Sequence, residues 1–151
     1  PMSPAGARPE PRALGGTMAE HPNVARVRAA YAAFEKADLN GALADLAVDA
    51  VFHFGGEGPN SGDHKGREAI ETALIKNFEL TGGTQKLHIH SIFADDEHAV
   101  VSLRETANRT DGATLDIEEA HVLTIDPDGK ITNLWDLPTD AEQHDRFFDG
   151  R

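Results

Sequence analysis

The chain has no cysteine, so neither a disulfide framework nor a thiolate metal site is available to it. Among 151 residues there are one tryptophan, one tyrosine and two methionines. No apolar run approaches the roughly 20 residues of a membrane span. No continuous apolar segment of the secretory type is visible near the N-terminus. Positive charge is scarce: 14 Lys plus Arg against 26 Asp plus Glu, a net charge of −12. Such a chain repels phosphate backbones and anionic bilayers, which argues against nucleic acid and membrane surfaces as partners. The length suits one domain with a real core, and the composition predicts a cytoplasmic protein.

What is present is organised around residues 114–125. Read with period two, one face is Leu115, Ile117, Glu119, His121, Leu123 and Ile125. That alternation predicts a strand with one buried face. The face is unusual because it carries a carboxylate and an imidazole, and a charge on an apolar face must be paired, neutralised or functional.

In chain order, residues 1–20 are rich in Pro, Gly, Ala and Arg and show no hydrophobic period, so they predict a flexible tail ahead of one domain over residues 21–151. Pro22 opens a helix with Val24, Val27, Tyr31 and Phe34 on one stripe. A short second helix carries Leu43 and Leu46 to about Val48, and residues 50–54 form a short strand. Residues 55–62 are a glycine-rich loop. A third helix follows Gly66, with Ile70, Leu74 and Phe78 on its stripe. From Gln85 the period becomes two. Strands over 86–93, 98–109, 114–125 and 131–137 form an antiparallel meander, closed by turns at Asp95, Gly112 and Gly129. This register sets Val101 opposite His121, Leu103 opposite Glu119 and Glu105 opposite Ile117. A capping box at Thr139 and Glu142 starts a last helix ending in Phe147 and Phe148. The order predicts an α+β fold: a curved antiparallel sheet wrapped around the long first helix as a cone with an apolar interior.

The segment from Ala32 to Val51 resembles the opening helices of the nuclear transport factor 2-like superfamily. Further matches are residues 61–70, residues 120–131 and Leu134-Trp135-Asp136, which together look most like its SnoaL-like, ketosteroid-isomerase-like branch. The resemblance implies a cone-shaped α+β barrel, a deep apolar pocket and a homodimer. Ketosteroid isomerase uses an Asp base with a Tyr and a protonated Asp as oxyanion donors. Aligned on this chain, its tyrosine falls at Ala30, one residue before Tyr31, its base at Phe54 and its protonated aspartate at His121. None of the three is retained, which speaks against steroid isomerisation itself, yet the donor position still holds a titratable group.

The candidate catalytic residues are therefore His121, Glu119 and Asp136. An imidazole facing an apolar cone can exchange a proton near neutrality. For Glu119 the alternative is a rim carboxylate paired with Arg104. For Asp136 the outcome depends on register. Simple pairing from the 126–130 hairpin puts Trp135 beside His121, whereas matching the family strand puts Asp136 there. A bulge would reconcile the two. Tyr31, Phe52, Phe54, Phe78, Val101, Leu103, Leu123 and Trp135 are expected to line the cone. His53 is expected on the back face, and His88 and His90 on a solvated strand face, since no third ligand is spaced to join them. No metal or cofactor is expected. The expected ligand is a small apolar molecule, and the expected dimer face is the outer sheet bearing Ala120 and Val122. Two functions remain open, a cofactor-free acid–base enzyme or a non-catalytic binding domain, and they differ in whether titratable groups converge on the floor of the cone.

Overall fold

A computed structural model describes residues 20–150. Nearly all of the expected N-terminal tail lies outside the described residues. Helix α1 (Pro22–Glu35) is followed by the short α2 (Leu39–Ala42), β1 (Leu46–Phe54), β2 (Gly62–Lys65), α3 (Arg67–Leu80), β3 (Lys86–Ala94), β4 (His98–Asn108), β5 (Thr114–Ile125), β6 (Ile131–Pro138) and α4 (Ala141–Phe148). The six strands form one sheet in the order β2-β1-β6-β5-β4-β3. Helix α1 packs on β3 and β4, α3 on β1 and β2, and α4 on β5 and β6. The architecture is the expected α+β cone.

The meander pairs as the alternation requires. Val101 faces His121, Leu103 faces Glu119, and Glu105 faces Ile117. All six residues on the apolar face of β5 are buried. Gly112 takes φ 99° and Gly129 φ 78° in the two hairpin turns, conformations that glycine adopts without strain.

The first half of the chain departs from the expectation. The second helix ends at Ala42, with its N-terminus capped by Asp38, which accepts from the Gly41 amide at 3.0 Å. Leu46 already belongs to β1, which runs parallel to β6 through Leu46–Ile131 and Phe52–Leu134. Sheet pairing overrides the weak helical spacing of Leu43 and Leu46. The polar tetrapeptide of β2 pairs antiparallel with β1, from Val51–Lys65 to Phe54–Gly62. Its lack of an apolar face hid it in the sequence. Helix α4 is capped by Asp140, not Thr139, because the Thr139 hydroxyl donates instead to the Glu118 carbonyl at 2.7 Å.

The register of β6 turns on one residue. Ile125 pairs with Ile131, but Thr124 pairs with Asn133, so Thr132 is an extra residue in β6. Its hydroxyl lies 2.6 Å from that of Thr124 and fills the irregularity. Beyond this bulge His121 pairs with Asp136, and Val122 with Trp135. The reactive face is thereby shared between two adjacent strands.

Candidate active site

A cavity of about 110 Å³, measured as the space open to the centres of water molecules, lies inside the cone. Tyr31 and Phe34 of α1, Phe52 and Phe54 of β1, Leu123 of β5 and Leu134 of β6 supply much of its apolar wall. Glu105, His121, Asp136 and His144 also line it. For comparison, an engineered apolar cavity of roughly 150 Å³ accepts benzene, so the space here suits a small ring or chain.

Four of the expected lining residues are placed elsewhere. Trp135 lies on the other face of β6 and stacks on His53 with ring centroids 4.7 Å apart and 4° between planes. The bulge turned it there. Phe78 is 54% exposed. Eight residues along an α-helix turn through about 80° beyond two full circles, so Phe78 drifts off the Ile70 stripe and Asn77 is buried in its place. Val101 and Leu103 point inward but are fully buried in the packed core, away from the cavity wall. His53 sits on the back face, bonded to Asp63 and Asn133. His88 and His90 are exposed on theirs.

The floor of the cone holds six titratable groups: two histidines, three carboxyl groups and the Tyr31 phenol. His121 Nδ1 meets the Tyr31 hydroxyl at 2.5 Å. Its Nε2 lies 3.4 Å from Asp136 Oδ1 and 3.8 Å from Glu119 Oε2. On the other side, His144 Nε2 lies 3.2 Å from Asp136 Oδ2, 3.7 Å from Glu105 Oε2 and 3.9 Å from Glu119 Oε2. Glu119 has no exposed side-chain surface and, among the described residues, pairs with neither Arg104 nor any other Lys or Arg; Arg104 is bonded to Asp116 at the surface. Glu119 lies just behind the cavity wall.

These neighbours set the protonation states. Burial pushes the His121 pKa down, but Tyr31 and Asp136 outweigh it and raise it to about 10. Burial likewise opposes charge on His144, yet Asp136 and Glu105 raise it to about 11. Glu119 is pushed far above the carboxylate range, first by burial and then by Glu105 and Asp136. Burial would raise Asp136, but His121 and His144 hold it well below its ordinary value. Glu105 is lowered too, because His144 and Glu119 overcome its burial. Tyr31 is raised by burial, partly offset by His121. Near neutral pH the floor therefore carries two imidazolium ions, two carboxylates and one neutral acid, and the charges cancel.

The protonated His121 donates Nδ1–H to the Tyr31 oxygen. That leaves the tyrosine O–H free to donate into the cavity. Asp136 Oδ1 has no hydrogen-bond partner, nor have both Glu119 oxygens and His144 Nε2. Among the described residues two overlapping trios could hold a metal ion, Glu105–Glu119–His144 and Glu119–His121–Asp136, each with one ligand atom per residue within 4.8 Å of the others.

Sequence reasoning missed His144 as a site residue, and it placed Glu105 on the buried face without drawing it into the site. The signal for His144 was available in the helical period, since His144, Phe147 and Phe148 share one face of α4 and two aromatic residues already marked that face as buried.

An apolar cone with titratable groups gathered at its floor, built from a curved sheet around a long helix, defines the nuclear transport factor 2-like class of α+β barrels. Within that class the chain belongs to the SnoaL-like domain family, whose model matches residues 27–134. No curated protein matches the sequence. Among solved structures, Bal32a from a soil-derived mobile gene cassette is 31% identical, with a TM-score of 0.78 over 83% of this chain and 95% of that one. A protein of unknown function with a cystatin-like fold from Xanthomonas campestris is 24% identical, with a TM-score of 0.77 over 85% and 98% of the two chains. TerC, co-crystallised with polyporic acid, is 22% identical, with a TM-score of 0.74 over 84% and 98%. The last two likenesses extend to the fold alone. The family and the cavity together make this a small-molecule pocket protein. Among the described residues no helix is long and apolar enough to cross a membrane.

Proposed function

We propose that the protein is an acid–base enzyme of the isomerase, cyclase or dehydratase type, acting on a small, largely apolar carbonyl compound. The observation that carries this reading is the Tyr31–His121–Asp136 line at the cavity floor. Reactions of these types pass through enolate-like charge, which needs a donor at the developing oxyanion and a base nearby. The Tyr31 hydroxyl, polarised by the imidazolium behind it, is the donor. The unpartnered Asp136 Oδ1 is the base. His121 links the two and does not itself need to reach the substrate.

Solvent exchange of α-protons in small cyclic ketones, followed by NMR in deuterated buffer, tests this without knowledge of the natural substrate. Wild-type protein is expected to accelerate exchange for ketones that fit. Tyr31→Phe and Asp136→Asn are each expected to lower that rate by roughly 10²-fold or more, the scale for losing a positioned acid or base.

One observation favours a second reading. Asp136 is held well below its ordinary pKa, which makes it a weak base at rest. If no ketone exchanges while small ring compounds still bind in the cone, the protein is a binding domain with a polar anchor.

The outer face of the sheet supports a homodimer. Across it run Phe93 beside Val100, Val100 beside Val122, and Val122 beside Trp135. Phe93 is 64% exposed. A continuous apolar row of this kind on a sheet suits burial against a second copy.

A further inference from the structure

We propose that His144, Glu105 and Glu119 form a binding site for one divalent transition-metal ion at the inner end of the cavity. Metal sites differ from ordinary ion-pair clusters in leaving their donor atoms without hydrogen-bond partners and aimed at a common point. Here Glu119 has no exposed side-chain surface, and neither of its oxygens has a partner. His144 is 6% exposed at its side chain, and Nε2 makes no hydrogen bond, the nearest carboxylate oxygen being Asp136 Oδ2 at 3.2 Å. That nitrogen lies 3.7 Å from Glu105 Oε2 and 3.9 Å from Glu119 Oε2. Both separations are long for a hydrogen bond. Two donors each about 2.1 Å from one ion stand roughly 3.0–3.4 Å apart at octahedral or tetrahedral angles, so small side-chain movements would bring the trio into range.

The surroundings also fit. A ligating histidine commonly donates its second ring N–H to a carboxylate, which fixes the tautomer and turns the other nitrogen toward the ion. His144 Nδ1 lies 3.3 Å from Asp145 Oδ1 in that relation. A ligating carboxylate is commonly held through its other oxygen. Gln85 Nε2 donates to Glu105 Oε1 at 2.6 Å and leaves Oε2 facing His144. The second trio lacks such support, since the other ring nitrogen of His121 meets the Tyr31 hydroxyl and not a carboxylate. Glu105 and His144 line the cavity, which gives an ion a path in. Three protein ligands leave open positions on the ion, the pattern of a catalytic site and not of a closed structural one. One imidazole with two carboxylates suits Zn²⁺, Mn²⁺ or Fe²⁺ and disfavours soft ions such as Cu⁺.

The site stands apart from the acid–base reading, because occupancy is measured without a substrate. Chelator-treated protein is titrated with Zn²⁺ and Mn²⁺ by calorimetry and with Co²⁺ by visible absorption. One ion per chain is expected, bound more tightly as pH rises because the ligands must shed protons. Glu119→Gln keeps the size and neutrality of the protonated acid, so its fold is expected to survive, as circular dichroism will show. It removes a ligand and is expected to abolish binding. Asp145→Asn is expected to weaken binding by roughly 10–100-fold, the scale for losing an orienting partner. A His88→Asn, His90→Asn double variant removes the exposed histidine pair and is expected to bind as wild type does. Binding that survives Glu119→Gln, binding that disappears with His88 and His90, or no binding of any of the three ions at millimolar concentration overturns the proposal.

Discussion

The Tyr31 hydroxyl and His121 Nδ1 meet at 2.5 Å although the residues are 90 apart in sequence. The contact joins the first helix to the central strand and couples a buried phenol to a buried imidazole. Tyr31 is among the groups that raise the His121 pKa to about 10. In Tyr31→Phe that support is gone while burial still disfavours the charge. The His121 pKa is therefore expected to fall by at least one unit, on the order of the effect of losing one short charge-assisted bond. NMR titration of the ring measures it. A His121 that titrates unchanged in the variant would show that the two groups are not coupled.

The floor cluster also sets the pH dependence of stability. Asp136 and Glu105 are lowered from 3.8 and 4.5, so their contribution is present above those values and lost as pH falls through the folded ones. His121 and His144 are raised from 6.5, so theirs is complete below 6.5 and is lost as pH rises toward about 10 and about 11. Glu119 is raised from 4.5, so the folded chain keeps a proton that the unfolded chain releases, and stability falls as pH rises above 4.5. The expected optimum is near pH 5, lower than for most proteins. Calorimetric melting in chelator-containing buffers from pH 3 to pH 10, at about one-unit steps, checks this. A plateau extending to pH 8 or so would contradict it.

Glu119→Gln isolates one contributor. The amide cannot ionise, so the variant escapes the cost of holding a proton above the unfolded pKa. Its melting temperature is expected to exceed that of wild type at pH 8, by about 2–4 °C for each kcal/mol gained, and to match it near pH 4. Equal differences at both pH values would mean that Glu119 is not protonated in the folded chain.

At the mouth of the cavity, Asp149 accepts hydrogen bonds from the Glu57 and Gly58 amides and from the Ser61 hydroxyl. It ties the loop between β1 and β2 to the end of α4. In Asp149→Ala, hydrogen exchange at Glu57 and Gly58 is expected to quicken by about tenfold or more, since bonds to a charged acceptor contribute roughly 1.5–3 kcal/mol each. The amides of β5 should keep their protection.

For the outer sheet, Val122→Glu places a charge in the middle of the apolar row without touching the cavity. The wild-type chain is expected to sediment as a dimer at micromolar concentration and the variant as a monomer. A wild-type monomer would remove the case for association through this face.

How much of this was legible depends on where each contact came from. The alternation of β5 and the short turn at Gly112 give the register of β4 on β5, and with it the burial of Glu105, Glu119 and His121. Local period failed for residues 43–48, because Leu43 and Leu46 fit a helix and only the pairing of Leu46 with Ile131 makes a strand. For His144 the helical period marks a buried position but not its partners, because Asp136, Glu105 and Glu119 all lie on other elements. No spacing rule joins them. The choice between Trp135 and Asp136 needed the bulge, and Thr132 carries no mark in the sequence that it is the extra residue.

That single threonine makes the chemistry of the cone a matter of counting. Were that threonine paired in regular register instead of bulged, continued pairing from Ile125 and Ile131 would set Trp135 opposite His121 and send Asp136 to the outside. The indole would occupy the floor, and both imidazoles would lose the carboxylate they share. A relative lacking this residue would keep Asp136 opposite His121 with no bulge, whereas one of equal length that pairs regularly would have exchanged its reactive face for a plugged one. In this fold the presence or loss of one bulge beside a short hairpin can redraw the site more thoroughly than any substitution within it.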